Sequence, residues 1–299
     1  MTQGLEDRNT ATVVSETAIF SVVMILSLVG NLLVCFAVYR NPRLRCPSNY
    51  YIISLAMSDI LQALCTMPLS VAFLASSRWP FGTSLCYVSA VSKLSLAKIS
   101  LYTMALMALN RYYKIVKASK YQATFKKKFI ILTTSMAWVT PIFVWLLAAF
   151  AFGFNAEPKP QFGVCILDFH QLVGFAMPSL IVFFYLPYFI IAFCYWNIYR
   201  VVNTHNSSVS WQSSNIHDIK VSKTLFVTVI GFASLWMPAH VILITSIQVT
   251  LPRELTLLGT LLVFSSSCVN PFIYGFMNRA FKHEFKKCLM LKRMHRVSP

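Results

Sequence analysis

The stretch MALNRYYKIVK, Met107–Lys117, places an arginine at the end of a long apolar run, LCYVSAVSKLSLAKISLYTMALMAL (Leu85–Leu109), and just before a basic, polar segment. Arg111 cannot lose its charge. A helix that carries it must therefore supply water or a carboxylate at that end. Which solvent surrounds the rest of the helix decides the fold.

Composition points to lipid. Of 299 residues, 57% are hydrophobic and 12% are charged, whereas a soluble domain carries roughly 25% charged residues. Thr17–Tyr39, Phe129–Asn155, Gln171–Tyr199, Thr224–Pro252 and Leu255–Asn278 contain no charged residue. Each is long enough to meet the roughly 20 residues a helix needs to cross a bilayer. Tyr50–Ser77 joins them with one interruption, Asp59, and Leu85–Asn110 with two, Lys93 and Lys98. The expected fold is an all-α membrane protein, a bundle of seven transmembrane helices. The N-terminal MTQGLEDRNT is acidic and polar where a signal peptide would be basic, so the first span is expected to be an uncleaved anchor.

Basic residues orient the bundle, because positively charged connections stay cytoplasmic. One set of connections holds Arg40, Arg43 and Arg45, then Lys114 to Lys128, then Arg200, Lys220 and Lys223, then the lysine-rich tail; the opposite set holds Arg8, Arg78, Lys159 and Arg253. The tail is expected inside and the N-terminus outside. The net charge of +17 is then a cytoplasmic face suited to anionic lipid and acidic protein partners, and a nucleic-acid partner is disfavoured. The whole chain, 1–299, reads as one domain: an extracellular segment 1–15, a helix bundle 16–277, and a cytoplasmic amphipathic helix and tail 278–299. In that tail Phe281, Phe285 and Leu289 recur at helical spacing among lysines, as in a helix lying on the inner membrane surface. Cys288 beside them is a candidate for palmitoylation. The connection Val201–His217 is polar and serine-rich and is expected as a loop.

Lys93 and Arg111 are eighteen residues apart, five whole turns, and so share one stripe of the third span, with Ser100 and Met104 near it. Lys98 points about 140° away from that stripe. Ionisable groups at membrane depth face the bundle interior, so this helix is expected at the centre, with Lys93 in an outer cavity and Arg111 at the cytoplasmic mouth. In the sixth span Asp218 and Trp236 are also eighteen residues apart, with Phe232 and His240 one turn either side of Trp236. Pro238 removes a backbone hydrogen bond there. Asp218 is placed to reach toward Arg111 as a breakable latch, or to serve as a helix cap, and the two roles are compatible. Asp59 lies mid-membrane, where Ser100, Ser266 and Asn270 supply oxygens for a small cation site or for a protonated acid. Cys86 and Cys165 both fall in outer segments, which suggests one disulfide, the alternative being two free thiols.

Taken in order, GNLLV (Gly30–Val34), SLAMSD (Ser54–Asp59), WPFG (Trp79–Gly82), NRY (Asn110–Tyr112), Trp138, Pro187 with Tyr195, FASLWMP (Phe232–Pro238) and NPFIY (Asn270–Tyr274) resemble the rhodopsin-like, class A G-protein-coupled receptors. The resemblance implies a plasma-membrane receptor, not an enzyme, that takes an extracellular small ligand and activates a heterotrimeric G protein by outward movement of the sixth helix. Arrestin and membrane lipid are further partners. It implies that Asn110, Arg111 and Tyr112 with Tyr195, Asp218, Phe232, Pro238, Asn270, Pro271 and Tyr274 form the switch. Trp236 and Phe232 relay ligand contact, beside Pro187 and Leu101. Asp59, Ser100 and Asn270 hold sodium. The family's ligand positions fall at Lys93, Leu94, Ala97, Ser179, Phe183, Trp236, Ala239, His240 and Thr260. Asn110 stands where the usual acid precedes the arginine, so the resting state is expected to be loose and basal signalling measurable.

The ligand is less legible. Lys93 replaces the aspartate of aminergic receptors, and Phe264 replaces the retinal-binding lysine of opsins, so no retinal is expected. Asn110 and YRNPRLR (Tyr39–Arg45) are similar to melatonin receptors, but Pro271, Phe183 and Ala148 depart from them. A buried ammonium without a partner is costly, so the cavity is expected to hold an anionic ligand at Lys93, unless Glu16, Asp168 or Glu157 pairs with it. A channel or transporter would show a polar path or matching broken helices, and the six histidines form no metal-ligand spacing.

Overall fold

A computed structural model describes residues 8–153, 155–167, 178–179, 181–204 and 209–294. Among the described residues ten α-helices run α1 Thr10–Arg40, α2 Tyr50–Cys65, α3 Met67–Ser76, α4 Gly82–Ile115, α5 Ala118–Thr124, α6 Lys127–Phe152, α7 Leu186–Thr204, α8 Val209–Gln248, α9 Arg253–Met277 and α10 Arg279–Met294. A hairpin of β1 (Ala156–Lys159) and β2 (Val164–Leu167) follows α6, antiparallel with Ala156 opposite Leu167 and Lys159 opposite Val164. Among the described residues six helical segments are long and apolar enough to cross a membrane. The seventh long helix is α4, with 34 residues, which carries Lys93, Lys98 and Arg111 and packs against α2, α6, α7, α8 and both strands. The central position expected for the third span is therefore observed. Apolar side chains on the outer faces of α1 and α6, such as Val22, Val29, Leu132 and Phe143, remain exposed, as a lipid-facing annulus requires.

Three boundaries differ from the sequence reading. The second span is divided at Thr66 into α2 and α3, because Pro68 has no N–H to give to the preceding turn. The connection Val201–His217 is not a loop throughout, since α8 starts at Val209; serine and histidine are mediocre helix formers but do not prevent extension of an established helix. The tail forms α10 as expected, yet Phe281 is fully buried against Tyr274, with rings 5.6 Å apart, and Phe285 packs at Gly275. Part of its apolar face therefore docks on the bundle and not on lipid.

Close approach of helices explains Gly30. A Cβ there would lie 2.9 Å from the Pro271 ring, so α1 and α9 meet at a contact that only hydrogen can occupy. Asn31 beside it donates to the carbonyls of Ser27 and Ser267, both at 2.9 Å, and so ties α1 to α9 through an otherwise unsatisfied backbone group of α9.

Candidate functional site

The β-hairpin caps the bundle. Cys86 at the start of α4 is bonded to Cys165 in β2, with Cα atoms 5.4 Å apart. Ser70 of α3 donates to the Gly163 carbonyl at 2.7 Å and Thr256 of α9 to the Gln161 carbonyl at 2.7 Å. The hairpin is thus fastened to three helices. Beneath it lies a cavity of about 190 Å³ lined by Lys93, Leu94 and Ala97 of α4, by Trp236, Ala239 and His240 of α8, by Thr260 of α9 and by Ser179, together with Lys98, Trp145 and strand β2.

Of the expected ligand positions, Phe183 does not line this cavity. Its buried ring packs on Tyr102 at 5.9 Å. Ile181–Tyr185 is a π-helical turn, whose wider winding shifts the inward face by a residue, and Phe184 turns toward α8, though it does not line the cavity either. The Phe184 ring lies 3.9 Å from that of His240. Lys98 is a second departure. Although 140° from Lys93 on the helix, it lines the same cavity and is only 7% exposed. Neighbours surround α4 on most sides, so its interior is not one stripe, and a lysine stem is long enough to bend its ammonium round the helix. The Lys98 Nζ sits 5.5 Å from the Phe184 ring and 5.9 Å from the Trp236 ring.

Lys93 donates from Nζ to the Cys165 carbonyl at 3.4 Å, and two of the three carboxylates expected as alternatives, Glu16 and Glu157, are engaged elsewhere. Glu16 bonds Arg8 at 2.5 Å and Arg253 at 2.5 and 2.8 Å. Glu157 bonds Lys159 at 2.8 Å. Asp168 lies outside the described residues.

From the cavity floor, Trp236 stacks on Phe232 with ring centroids 5.2 Å apart. Its Nε1 donates to Ser266 at 2.9 Å. Ser266 therefore serves Trp236 and not Asp59, and Ser267, one residue and 100° further round α9, stands by the carboxylate. Asp59, 3% exposed, accepts from Asn270 Nδ2 at 2.8 Å. Ser100 bonds Ser58 at 2.9 Å and donates to the Leu96 carbonyl at 3.1 Å. Leu101 and Phe232 are buried, and they share one apolar cluster with Phe184 and Trp236; Pro187 is buried on α7 close by in sequence.

At the far end of α4, Arg111 is 4% exposed. Its Nη1 lies 3.6 Å from Asp218 Oδ1, and Lys114 Nζ lies 2.7 Å from the same oxygen. The expected latch forms, with Lys114 added; three residues after Arg111, it lies on the same helix face. Asn110 turns away and donates to the Tyr121 hydroxyl on α5 at 3.4 Å. Tyr112 packs on Phe193 at 5.8 Å. Tyr195 is buried against Phe226 at 5.0 Å, and its hydroxyl has no hydrogen-bond partner among the described residues. Arg111 Nε is likewise buried without one.

These features invite comparison with known proteins. The family model "7 transmembrane receptor (rhodopsin family)" matches residues 30–274. The chain belongs to this family. The receptor is 27% identical to melatonin receptor type 1C of Gallus gallus, which it covers to 83% using 94% of its own length. It is also 27% identical to somatostatin receptor type 5 of Rattus norvegicus, over 92% of the chain and 77% of that protein. Its identity to the histamine H2 receptor of Homo sapiens is 25%, over 97% of the chain and 83% of that protein. In fold it is similar to squid rhodopsin, with a TM-score of 0.84 at 20% identity, covering 96% of the receptor and 87% of that chain. The receptor's disulfide, its seven long helices and its capped cavity agree with that membership, and it is not an enzyme.

Proposed function

We propose that the receptor resides in the plasma membrane with its N-terminus outside and that it takes a small extracellular ligand into the cavity under the hairpin. Occupancy is passed to a heterotrimeric G protein by outward movement of α8. The observation that carries this reading is that one helix, α4, lines the cavity with Lys93 and Lys98 at one end and holds the ion pair of Arg111 with Asp218 of α8 at the other. On α8, Trp236 and Phe232 lie between those two places. A ligand that presses on Trp236 acts on the helix whose lower end Arg111 restrains. Release of Asp218 would free Arg111 to meet the G protein and Tyr195 to find a partner. Pro238, Asn270, Pro271 and Tyr274 lie where α8 and α9 must yield, and Asn110 and Tyr112 flank the latch. Arrestin would read the same cytoplasmic face, while α10, with Lys282, Lys286 and Lys287 exposed, would rest on anionic lipid, with Cys288 as a lipid-attachment point.

The relatives include melatonin, somatostatin and histamine receptors at nearly equal identity, so ligand preference is argued from the cavity. The charged side chains of its described lining are Lys93 and Lys98, which supports an anionic group at Lys93. The test is nucleotide exchange on purified heterotrimers by the receptor in nanodiscs, first without ligand and then with carboxylate, phosphate and indole libraries. Exchange no greater than that of empty nanodiscs with every Gα class, with and without compounds, would overturn the reading.

A sodium ion is part of the proposal. The donor set fits, because Asp59 has a buried carboxylate and Asn270 has a buried Oδ1 with no hydrogen-bond partner among the described residues. Asp59, Asn270 and Ser100 would hold the ion, which would supply positive charge to a buried anion and favour the resting bundle. Sodium should lower basal exchange in the native receptor and leave Asp59→Asn unaffected; equal sodium sensitivity in both would remove the ion from the scheme.

A further inference from the structure

Two lysines, Lys93 and Lys98, line the cavity. Lys93 and Lys98 are five residues apart on α4, an axial offset of about 7.5 Å with 140° of rotation. Their ammonium groups lie in different parts of the same space. Lys93 Nζ is near the lid, 3.4 Å from the Cys165 carbonyl. Lys98 Nζ is near the aromatic floor, against Phe184 and Trp236.

Charge balance around them is uneven. Among the described residues the cavity lining includes no carboxylate. Among the described residues neither lysine is within ion-pair distance of an acid, and Glu16, Glu157 and Asp59 are held by other groups. Ring faces and a carbonyl offset part of the cost of desolvating a cation. Removing an ammonium from water costs more than those contacts return. Two such groups in one apolar enclosure leave a deficit that two negative charges would close. A single carboxylate spans about 2.2 Å between its oxygens and can serve one ammonium well; the other would remain uncompensated.

We propose that the ligand is an elongated organic dianion. Its two acidic groups are separated by roughly 8 Å, the axial offset of the two lysines, and joined by an apolar or aromatic spacer. One acidic group meets Lys93 under the hairpin. The other meets Lys98 beside Trp236, the side chain through which the proposed signal leaves the cavity. The spacer lies against Leu94 and Ala97, which face the cavity between them. The inference rests on the cavity being the ligand site and adds the ligand's charge and length. It also makes Lys98 the group that distinguishes a two-headed ligand from a one-headed one.

The probes are α,ω-alkanedioic acids of four to ten carbons and alkanoic acids of matched length. Binding is read from the thermal midpoint of the receptor in neutral phosphatidylcholine nanodiscs. The diacids should stabilise with an optimum at intermediate length, at least tenfold more potently than the matched monoacids. Lys98→Gln should erase that advantage, leaving diacid and monoacid equal, and Lys93→Gln should do the same. Lys98→Arg keeps the charge and should keep the preference, which separates loss of the ammonium from loss of fold. Three results would each overturn the proposal: monoacids as potent as diacids, no change on Lys98→Gln, or a diacid preference that emerges only in Asp168→Asn. Ligand-free nucleotide exchange on the same nanodiscs tests the receptor reading separately. Exchange without diacid binding removes the ligand class alone; diacid binding without exchange removes the coupling alone.

Discussion

Replacing Asp218 with asparagine is the sharpest perturbation of the latch, because it removes a charge and keeps the shape. At 3.6 Å the attraction between Arg111 and a full negative charge is about 4.6 kcal/mol at an effective dielectric of 20. The net loss is smaller. Asp218 is 20% exposed and shares its oxygen with Lys114, and the asparagine oxygen still accepts a neutral hydrogen bond. The difference between a charge-assisted and a neutral bond is about 1–2 kcal/mol. If the pair exists only in the resting state, that difference shifts the resting-to-active ratio by roughly 5- to 30-fold. A receptor with about 1% active molecules would rise to about 5–25%. The assay is ligand-free guanine-nucleotide exchange at matched surface density. Lys114→Gln is the informative control. It removes the competitor for the same carboxylate, tightens the hold on Arg111, and should leave basal exchange equal or lower. A latch that merely suffers from any change nearby would raise exchange in both variants. If Asp218→Asn is no more active than the native chain, the pair does not restrain α8 and the reasoning fails.

Asn110→Asp should act in the opposite direction: a carboxylate there can accept from Tyr121 and sits next to Arg111, so basal exchange should fall several-fold; a rise would show that Asn110 is not the cause of a loose resting state. Breaking the disulfide with Cys86→Ser and Cys165→Ser frees a loop of 79 residues, worth at most about 4.5 kcal/mol. Because that loop ends on β2, whose Cys165 carbonyl accepts from Lys93, the double variant should lose several degrees of thermal midpoint and bind diacid probes more weakly; unchanged binding would separate the hairpin from the cavity. Gly30→Val forces a Cβ to 2.9 Å from Pro271 and should cost about 1–3 kcal/mol by overpacking, read as a lower thermal midpoint; full tolerance would mean that α1 and α9 separate readily.

What the sequence revealed and what it hid follow from the same geometry. The relation of Lys93 to Arg111, and of Trp236 to Asp218, needs only the pitch of a continuous helix, and those placements were legible. The reach of Asp218 to Arg111 was legible because both stand at the cytoplasmic ends of central spans. Errors arose where the winding changes or where a neighbour decides. A π turn in Ile181–Tyr185 sets Phe183 on Tyr102 and Phe184 on His240, both outside the cavity lining. A rotation of 100° separates Ser266, bound to Trp236, from Ser267, beside Asp59. A helical wheel turns Lys98 about 140° from the Lys93 stripe, because it shows directions around one axis and not how many partners surround it. That last error has the greatest functional weight. A helix with neighbours on most sides can present residues 140° apart to one enclosed space if their side chains are long, so charge on a central helix should be counted over its whole circumference. Counted that way, the described lining of the cavity carries two lysines and no carboxylate, and the proposed ligand answers both.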